Sequence, residues 1–217
     1  MDFVDIRVRF KKQGSARFIS HLDLSRFMQR ALKRSGLPIW HTEGFNPHPY
    51  VTFALPLSLG QTGNMEVMDF RITKYLPAKE IFNALQSCLT EDLSLVAVYE
   101  PKHKAKEISL ALYEMIFPDR ADLTDSFSDF INQNEILVEK STKKKNETID
   151  LKSQIIKIDI STEENSLKVE IVLPAGTQLN INPSLFVSAF SQYVNEEISP
   201  VFITRKGIYL SDMTEFK

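Results

Sequence analysis

Two short stretches carry the side chains best suited to chemistry: Ser20-His21-Leu22-Asp23-Leu24 and Gly44-Phe45-Asn46-Pro47-His48-Pro49. His21 and His48 are the candidate catalytic groups, because an imidazole exchanges its proton near neutral pH. His21 falls at the first position of a predicted helix, where the positive end of the helix dipole disfavours further positive charge. A neutral imidazole there suits a base or a metal ligand. Asp23 either orients it or completes a capping box with Ser20, and the capping role is preferred. In the second stretch two X-Pro steps stiffen the backbone, so that Phe45, Asn46 and His48 are presented from a rigid platform as candidate binding groups. The competing reading is a structural crossover whose prolines only shape the turn. If His21, His41 and His48 converged they would form a three-histidine metal site with an open position. Their spacing is not a metal signature, and no metal or cofactor is expected.

Charge points to the same segment. Residues 1–50 hold nine Lys/Arg against four Asp/Glu, a balance of +5, whereas residues 51–217 hold seventeen against twenty-four, or −7. On the predicted helix Arg26, Arg30, Lys33 and Arg34 fall at i, i+4, i+7 and i+8, opposite the apolar residues. With Lys11, Lys12 and Arg17 upstream, this stripe suits an anionic partner such as the phosphates of RNA. The bland alternative is a solvated helix face.

The elements that must position these residues follow from periodicity. Val4–Lys11 alternates, with Val4, Ile6, Val8 and Phe10 on one face of a strand and Asp5, Arg7, Arg9 and Lys11 on the other. A helix over His21–Ser35 has Leu24, Phe27, Met28, Ala31 and Leu32 at helical spacing, and Gly36 and Pro38 end it. The proline-rich stretch 39–59 reads as an ordered loop leading to a strand at Val51–Ala54. A strand at Glu66–Thr73, a helix from Pro77 to Cys88 and a strand at Leu93–Glu100 follow. Downstream come a strand (Ile108–Phe117), a helix (Leu123–Asn132) and strands at Ile136–Ser141, Ile155–Ile160 and Leu167–Leu173. A helix (Pro183–Val194) and a strand (Pro200–Arg205) close the series, with an extra edge strand at Ile149–Leu151 and a solvated lysine loop tip at 143–146. Both halves run β-α-β-β-α-β. The expected fold is α+β, two tandem ferredoxin-like (βαββαβ) modules over residues 1–103 and 104–217.

Composition narrows the functional classes. The single cysteine, Cys88, excludes an intramolecular disulfide, a zinc ribbon and a cysteine-ligated iron–sulfur cluster within this chain alone, and reads as a packed thiol. The acidic, alternating start is unlike a signal peptide, and no apolar run approaches the roughly 18 residues of a membrane span, so a cytoplasmic location is expected. Glycine-rich phosphate loops, G-x-S-x-G and H-E-x-x-H are all missing.

Arg7-Val8-Arg9-Phe10-Lys11-Lys12-Gln13-Gly14, Arg17-Phe18-Ile19-Ser20-His21-Leu22-Asp23-Leu24 and Gly44-Phe45-Asn46-Pro47-His48-Pro49 resemble the bacterial "radical SAM-linked protein" family, a domain of unknown function. The resemblance covers about residues 4–60, and more loosely runs to about 110. Members of that family are encoded beside, or fused to, a radical SAM protein with a B12-binding-type domain. They also tend to lie near a ribonuclease of the E/G type and ribosomal-protein genes. The resemblance implies a radical SAM enzyme as partner, while this chain lacks the C-x-x-x-C-x-x-C that would hold the radical-generating cluster. Thr42-Glu43 and Tyr50 depart from the Ser-Gln and lysine that often flank the family's loop motif. At the level of architecture there is a more distant likeness to CRISPR repeat-processing endoribonucleases.

Three functions remain open from sequence. One is a non-catalytic accessory protein that binds RNA through Arg17, Arg26, Arg30, Arg34, Phe45 and Asn46; this is preferred. The second is a histidine-dependent ribonuclease or small-molecule enzyme using His21 and His48. The third is a protein-interaction module docking through the Phe45 loop, without nucleic acid.

Overall fold

The computed structural model describes residues 3–141 and 146–217. They divide into two compact units, residues 1–108 with 214–217, and residues 109–213. The chain is a mixed α+β protein with antiparallel sheets and, among the described residues, four α-helices.

In the first unit, strand β1 (Val4–Lys12) leads to helix α1 (His21–Arg34), followed by β2 (Val51–Phe53), β3 (Thr62–Ile72), helix α2 (Ala78–Gln86) and β4 (Leu95–Tyr99). The sheet order is β4-β1-β3-β2, with antiparallel registers throughout. Side chains alternate across a strand, and Ile6, Val8 and Phe10 of β1 join Met68, Phe70 and Ile72 of β3 on the face that receives the helices. Helix α1 supplies Leu24, Met28, Ala31 and Leu32 to that core and α2 supplies Ile81 and Leu85, as the 3.6-residue spacing requires. Phe27 is only partly buried at its margin.

The opposite face of β1 and β3 carries charge. The register sets Arg7 directly across from Asp69 and Asp5 across from Arg71, so each cation meets a carboxylate on the neighbouring strand. The β1–β3 register shifts between Phe10 and Lys12, yet burial still alternates, with Lys11 exposed and Lys12 buried. Lys12 lies on the same face as Phe10 and points inward, 2% exposed, with Nζ 3.3 Å from the Arg17 carbonyl oxygen. It is not part of the solvent-facing basic stripe expected from the sequence.

The second unit contains β5 (Leu110–Phe117), α3 (Thr124–Ile131), β6 (Leu137–Ser141), β7 (Asn146–Asp150), β8 (Lys157–Glu163), β9 (Ser166–Pro174), α4 (Ser184–Tyr193) and β10 (Phe202–Tyr209). Four of these strands order as β10-β5-β9-β8. The strands expected at Ile136–Ser141 and Ile149–Leu151 pair with each other as a separate two-stranded sheet. Of the expected lysine loop tip, residues 143–145 lie outside the described residues. The core is aromatic. The Phe127 and Phe190 rings meet edge to face at 4.7 Å, and Phe117 and Phe130 pack on both. Each such pair adds about 0.5–1.5 kcal/mol beyond area burial.

Candidate functional site

Helix α1 begins as its sequence dictates. The Ser20 hydroxyl oxygen accepts from the Asp23 N–H at 3.1 Å and donates to Asp23 Oδ2 at 2.7 Å. Asp23 also faces Arg26 at 3.6 Å. Ser20 and Asp23 are thus occupied in starting the helix, and no hydrogen bond among the described residues joins Asp23 to His21. The exposed His21 ring rests edge-on against Phe53 of β2, with centroids 5.0 Å apart. An imidazole without an orienting carboxylate or carbonyl lacks the partner that usually fixes a catalytic base.

The proline-rich loop is a narrow ladder. Trp40 donates its N–H to the Arg71 carbonyl at 2.9 Å, Thr42 to the His48 carbonyl at 2.9 Å and Tyr50 to the Trp40 carbonyl at 3.4 Å, and His41 bridges Pro49. His48 staples the tip: its N–H donates to Thr42 Oγ1 at 3.3 Å, and its Nδ1 lies 3.0 Å from the Asn46 carbonyl oxygen and 3.2 Å from Thr42 Oγ1. A carbonyl oxygen only accepts, so the ring meets Asn46 as a donor from Nδ1. His41 is held the same way, with Nδ1 3.1 Å from the Ile39 carbonyl oxygen. Beyond these ties Asn46 is exposed and Phe45 projects with its full surface in solvent, 102% exposed.

Along α1, Arg26, Arg30 and Lys33 are exposed, as expected. Arg34 is tied back, its Nη2 donating to the Cys88 carbonyl at 3.0 Å. The Arg17 guanidinium lies 4.5 Å over the Phe18 ring, and Phe18 and Leu22 are 63% and 58% exposed. Aromatic and cationic side chains therefore interleave near the helix start. Cys88 is partly buried against the core, as a packed thiol would be.

The three N-terminal histidines do not assemble: among the described residues no group of three or more His, Cys, Asp or Glu is placed to hold a metal ion. Nor is any described helix long and apolar enough to cross a membrane.

Sequence reasoning missed the polar assembly on the helix-free face of the first unit's sheet. Arg7 forms a two-pronged ion pair with Asp69, at 2.7 and 2.8 Å, and its guanidinium lies 4.3 Å over the Phe216 ring. Arg9 pairs with Glu215 at 2.5 Å and also donates to the Phe216 carbonyl. Arg71 bonds Asp5 at 2.8 Å among the rings of Phe3, Tyr50 and Trp40. The available signal was the charged alternation of Asp5, Arg7 and Arg9, matched by Asp69 and Arg71.

Against known proteins, no curated protein matches the chain. Among solved structures, an unknown protein from Galdieria sulphuraria matches at 10% identity and a TM-score of 0.28, over 94% of this chain and 99% of that one. That score is too low to carry a fold argument. A family model matches residues 5–183, spanning both histidine stretches, β1 and most of the second unit. The chain therefore belongs to the family described as "Uncharacterized protein conserved in bacteria (DUF2344)".

Proposed function

We propose that this chain is a cytoplasmic accessory protein that binds RNA, tRNA or rRNA, through its first unit and presents it to a radical SAM enzyme. The observation that carries the RNA reading is Phe45, wholly exposed at the tip of a loop pinned by His48 and Thr42. A large apolar ring held out in water by a rigid backbone is costly until something covers it. Unpaired bases stack on such rings in a sequence-tolerant way, and cations track the phosphates between them. Exposed Phe18 with Arg17, and exposed Arg26, Arg30 and Lys33, supply that combination. The radical SAM partner rests on the sequence resemblance.

We also read each unit as ferredoxin-like. The strand orders β4-β1-β3-β2 and β10-β5-β9-β8, each with two helices in its element order, support this. Sheets of this kind are a frequent RNA-binding scaffold.

Pull-down of the chain from native bacterial cells, with and without nuclease, followed by RNA sequencing and protein identification, tests the function. Bound RNA is expected, and its affinity should fall as salt rises. Phe45→Ala should cost about 1–3 kcal/mol of RNA binding, and Arg26→Glu with Arg30→Glu should abolish binding without lowering the melting temperature. Recovery of no RNA, or affinity indifferent to salt and to both variants, would overturn the proposal. A radical SAM protein retained after nuclease treatment, and lost in Phe45→Ala, would assign the loop to protein docking instead.

A further inference from the structure

The helix-free face of the first unit's sheet holds an open cleft of about 490 Å³, within the range of small-molecule sites. Arg7 and Asp69 lie at its floor, Arg71 and Asp5 beside them, and the segment after β4 closes one side with Lys102 and Lys104. Four cations against two carboxylates leave the lining with two net positive charges when His103 is neutral.

The cations nearest the sheet are held in place before any ligand arrives. Arg7 has 1% of its side chain exposed, and although Nε and Nη2 engage Asp69, its Nη1 is buried without a hydrogen-bond partner. A buried guanidinium N–H left unpaired is costly. Arg71 is clamped by Asp5 through Nε alone and by aromatic rings at 3.9 Å (Phe3), 4.4 Å (Tyr50) and 5.4 Å (Trp40) from its guanidinium carbon. No described residue takes a hydrogen bond from its two terminal nitrogens. The segment bearing Lys102 is itself fixed, since the N–H groups of Lys102 and His103 donate to the Lys217 carbonyl oxygen at 3.0 and 2.8 Å. Tyr50 and Thr52 belong to the same lining.

We infer that this cleft is a binding site for a phosphate monoester, with Arg71 as the fixed donor, Lys102 and Lys104 as mobile ones, and the buried Arg7 adding its charge from beneath. A monoester carries about −1.5 to −2 charges at neutral pH and three acceptor oxygens, which matches a doubly positive lining rich in N–H donors. A single carboxylate would leave one charge unbalanced. The monoester belongs either to a free nucleotide-sized molecule or to the 5′ end of an RNA. This site is on the sheet face opposite the one His21 contacts through Phe53, so it does not depend on RNA binding by α1.

The test titrates the full chain with inorganic phosphate, adenosine 5′-monophosphate and acetate by calorimetry and amide NMR. Saturable binding of phosphate and the nucleotide, much weaker binding of acetate, and shifts at β1, β3 and residues 101–105 are expected. Lys102→Gln with Lys104→Gln, both exposed, should weaken phosphate binding about tenfold or more by removing two charge-assisted donors, and Arg71→Gln should do the same. Arg26→Glu with Arg30→Glu should leave phosphate binding unchanged, which separates this site from the RNA reading. Paired 5′-phosphorylated and 5′-hydroxyl oligoribonucleotides distinguish the two sources: a preference for the phosphorylated end assigns RNA, and its lack alongside nucleotide binding assigns the free molecule. No saturable binding of either phosphate or nucleotide, acetate bound as tightly as phosphate, or unaltered affinity in the lysine and Arg71 variants would overturn the inference.

Discussion

Arg7 keeps its charge in a place with almost no water because both oxygens of Asp69 meet it, at 2.7 and 2.8 Å. A buried ion pair of this kind says little about net stability, since desolvation offsets most of the attraction, but breaking it strands a buried charge. Asp69→Asn should therefore destabilise the chain by roughly 3 kcal/mol in urea denaturation, and Arg7→Met combined with Asp69→Leu should restore most of that loss. If the single and double variants lose equal stability, the pair is not what holds this face together. Ser20 and Asp23 show how different an exposed pair is. They satisfy the first-turn amide of α1, and their worth is that of a cap, about 1 kcal/mol. His21 beside them is tied to neither, so its place in the sequence motif is not explained by capping.

At the scale of elements, two glycines of the sequence motifs part company. Gly14 sits at φ +51° in the turn entering Gly14–Phe18, and a Cβ there would lie 2.2 Å from Asp92 Oδ1. That carboxylate is occupied: it accepts from the Ser15 hydroxyl at 2.6 Å and the Ser15 N–H at 2.9 Å, and the hydroxyl above all holds its pKa below the usual range. Gly44, at φ +123°, has nothing within 4 Å of such a Cβ. Gly14→Ala should cost about 1 kcal/mol of left-handed strain plus the displacement of Asp92, whereas Gly44→Ala, at a φ outside the regions open to a Cβ, should cost roughly 1–3 kcal/mol from strain alone. Thermal melts of the two variants check this; a loss at Gly14→Ala no greater than about 1 kcal/mol would mean that the Asp92 contact does not matter. The same elements show what the sequence could reveal. Helix α1 was legible to within a residue because cap, apolar stripe and terminating glycine agree over local spacing. Lys12 was legible as well, because alternation from Phe10 sets it on the core face, with Lys11 exposed between them; its charge alone had argued for solvent. The histidine and basic candidates were placed on the correct elements, yet the sequence could not say that His48 staples its own loop. That depends on Thr42 and Asn46 curling back around a bend.

At the scale of the whole molecule, the chain leaves the first unit at residue 108, builds the second, and returns at 214 to finish the first. The returning residues supply what local reading could never find: Glu215 lies 206 positions from Arg9 and still meets it at 2.5 Å. Without that segment Arg9, 6% exposed, would lose its carboxylate. Burial pushes the Glu215 carboxyl up, but the Arg9 guanidinium and then the Lys217 ammonium outweigh it and hold the group below its ordinary 4.5. A carboxyl depressed in the folded state contributes stability that is complete above its unfolded value and vanishes as pH falls through the folded one. The wild-type chain should thus exceed Glu215→Gln in stability at neutral pH, and the gap should close as pH drops below 4.5. Urea melts of both proteins across that range provide the measurement, and amide exchange in β1 would locate the loosening. A gap independent of pH would mean that Glu215 acts through packing rather than charge, and that the returning segment is held by the Phe216 ring over Arg7 and the Lys217 carbonyl instead.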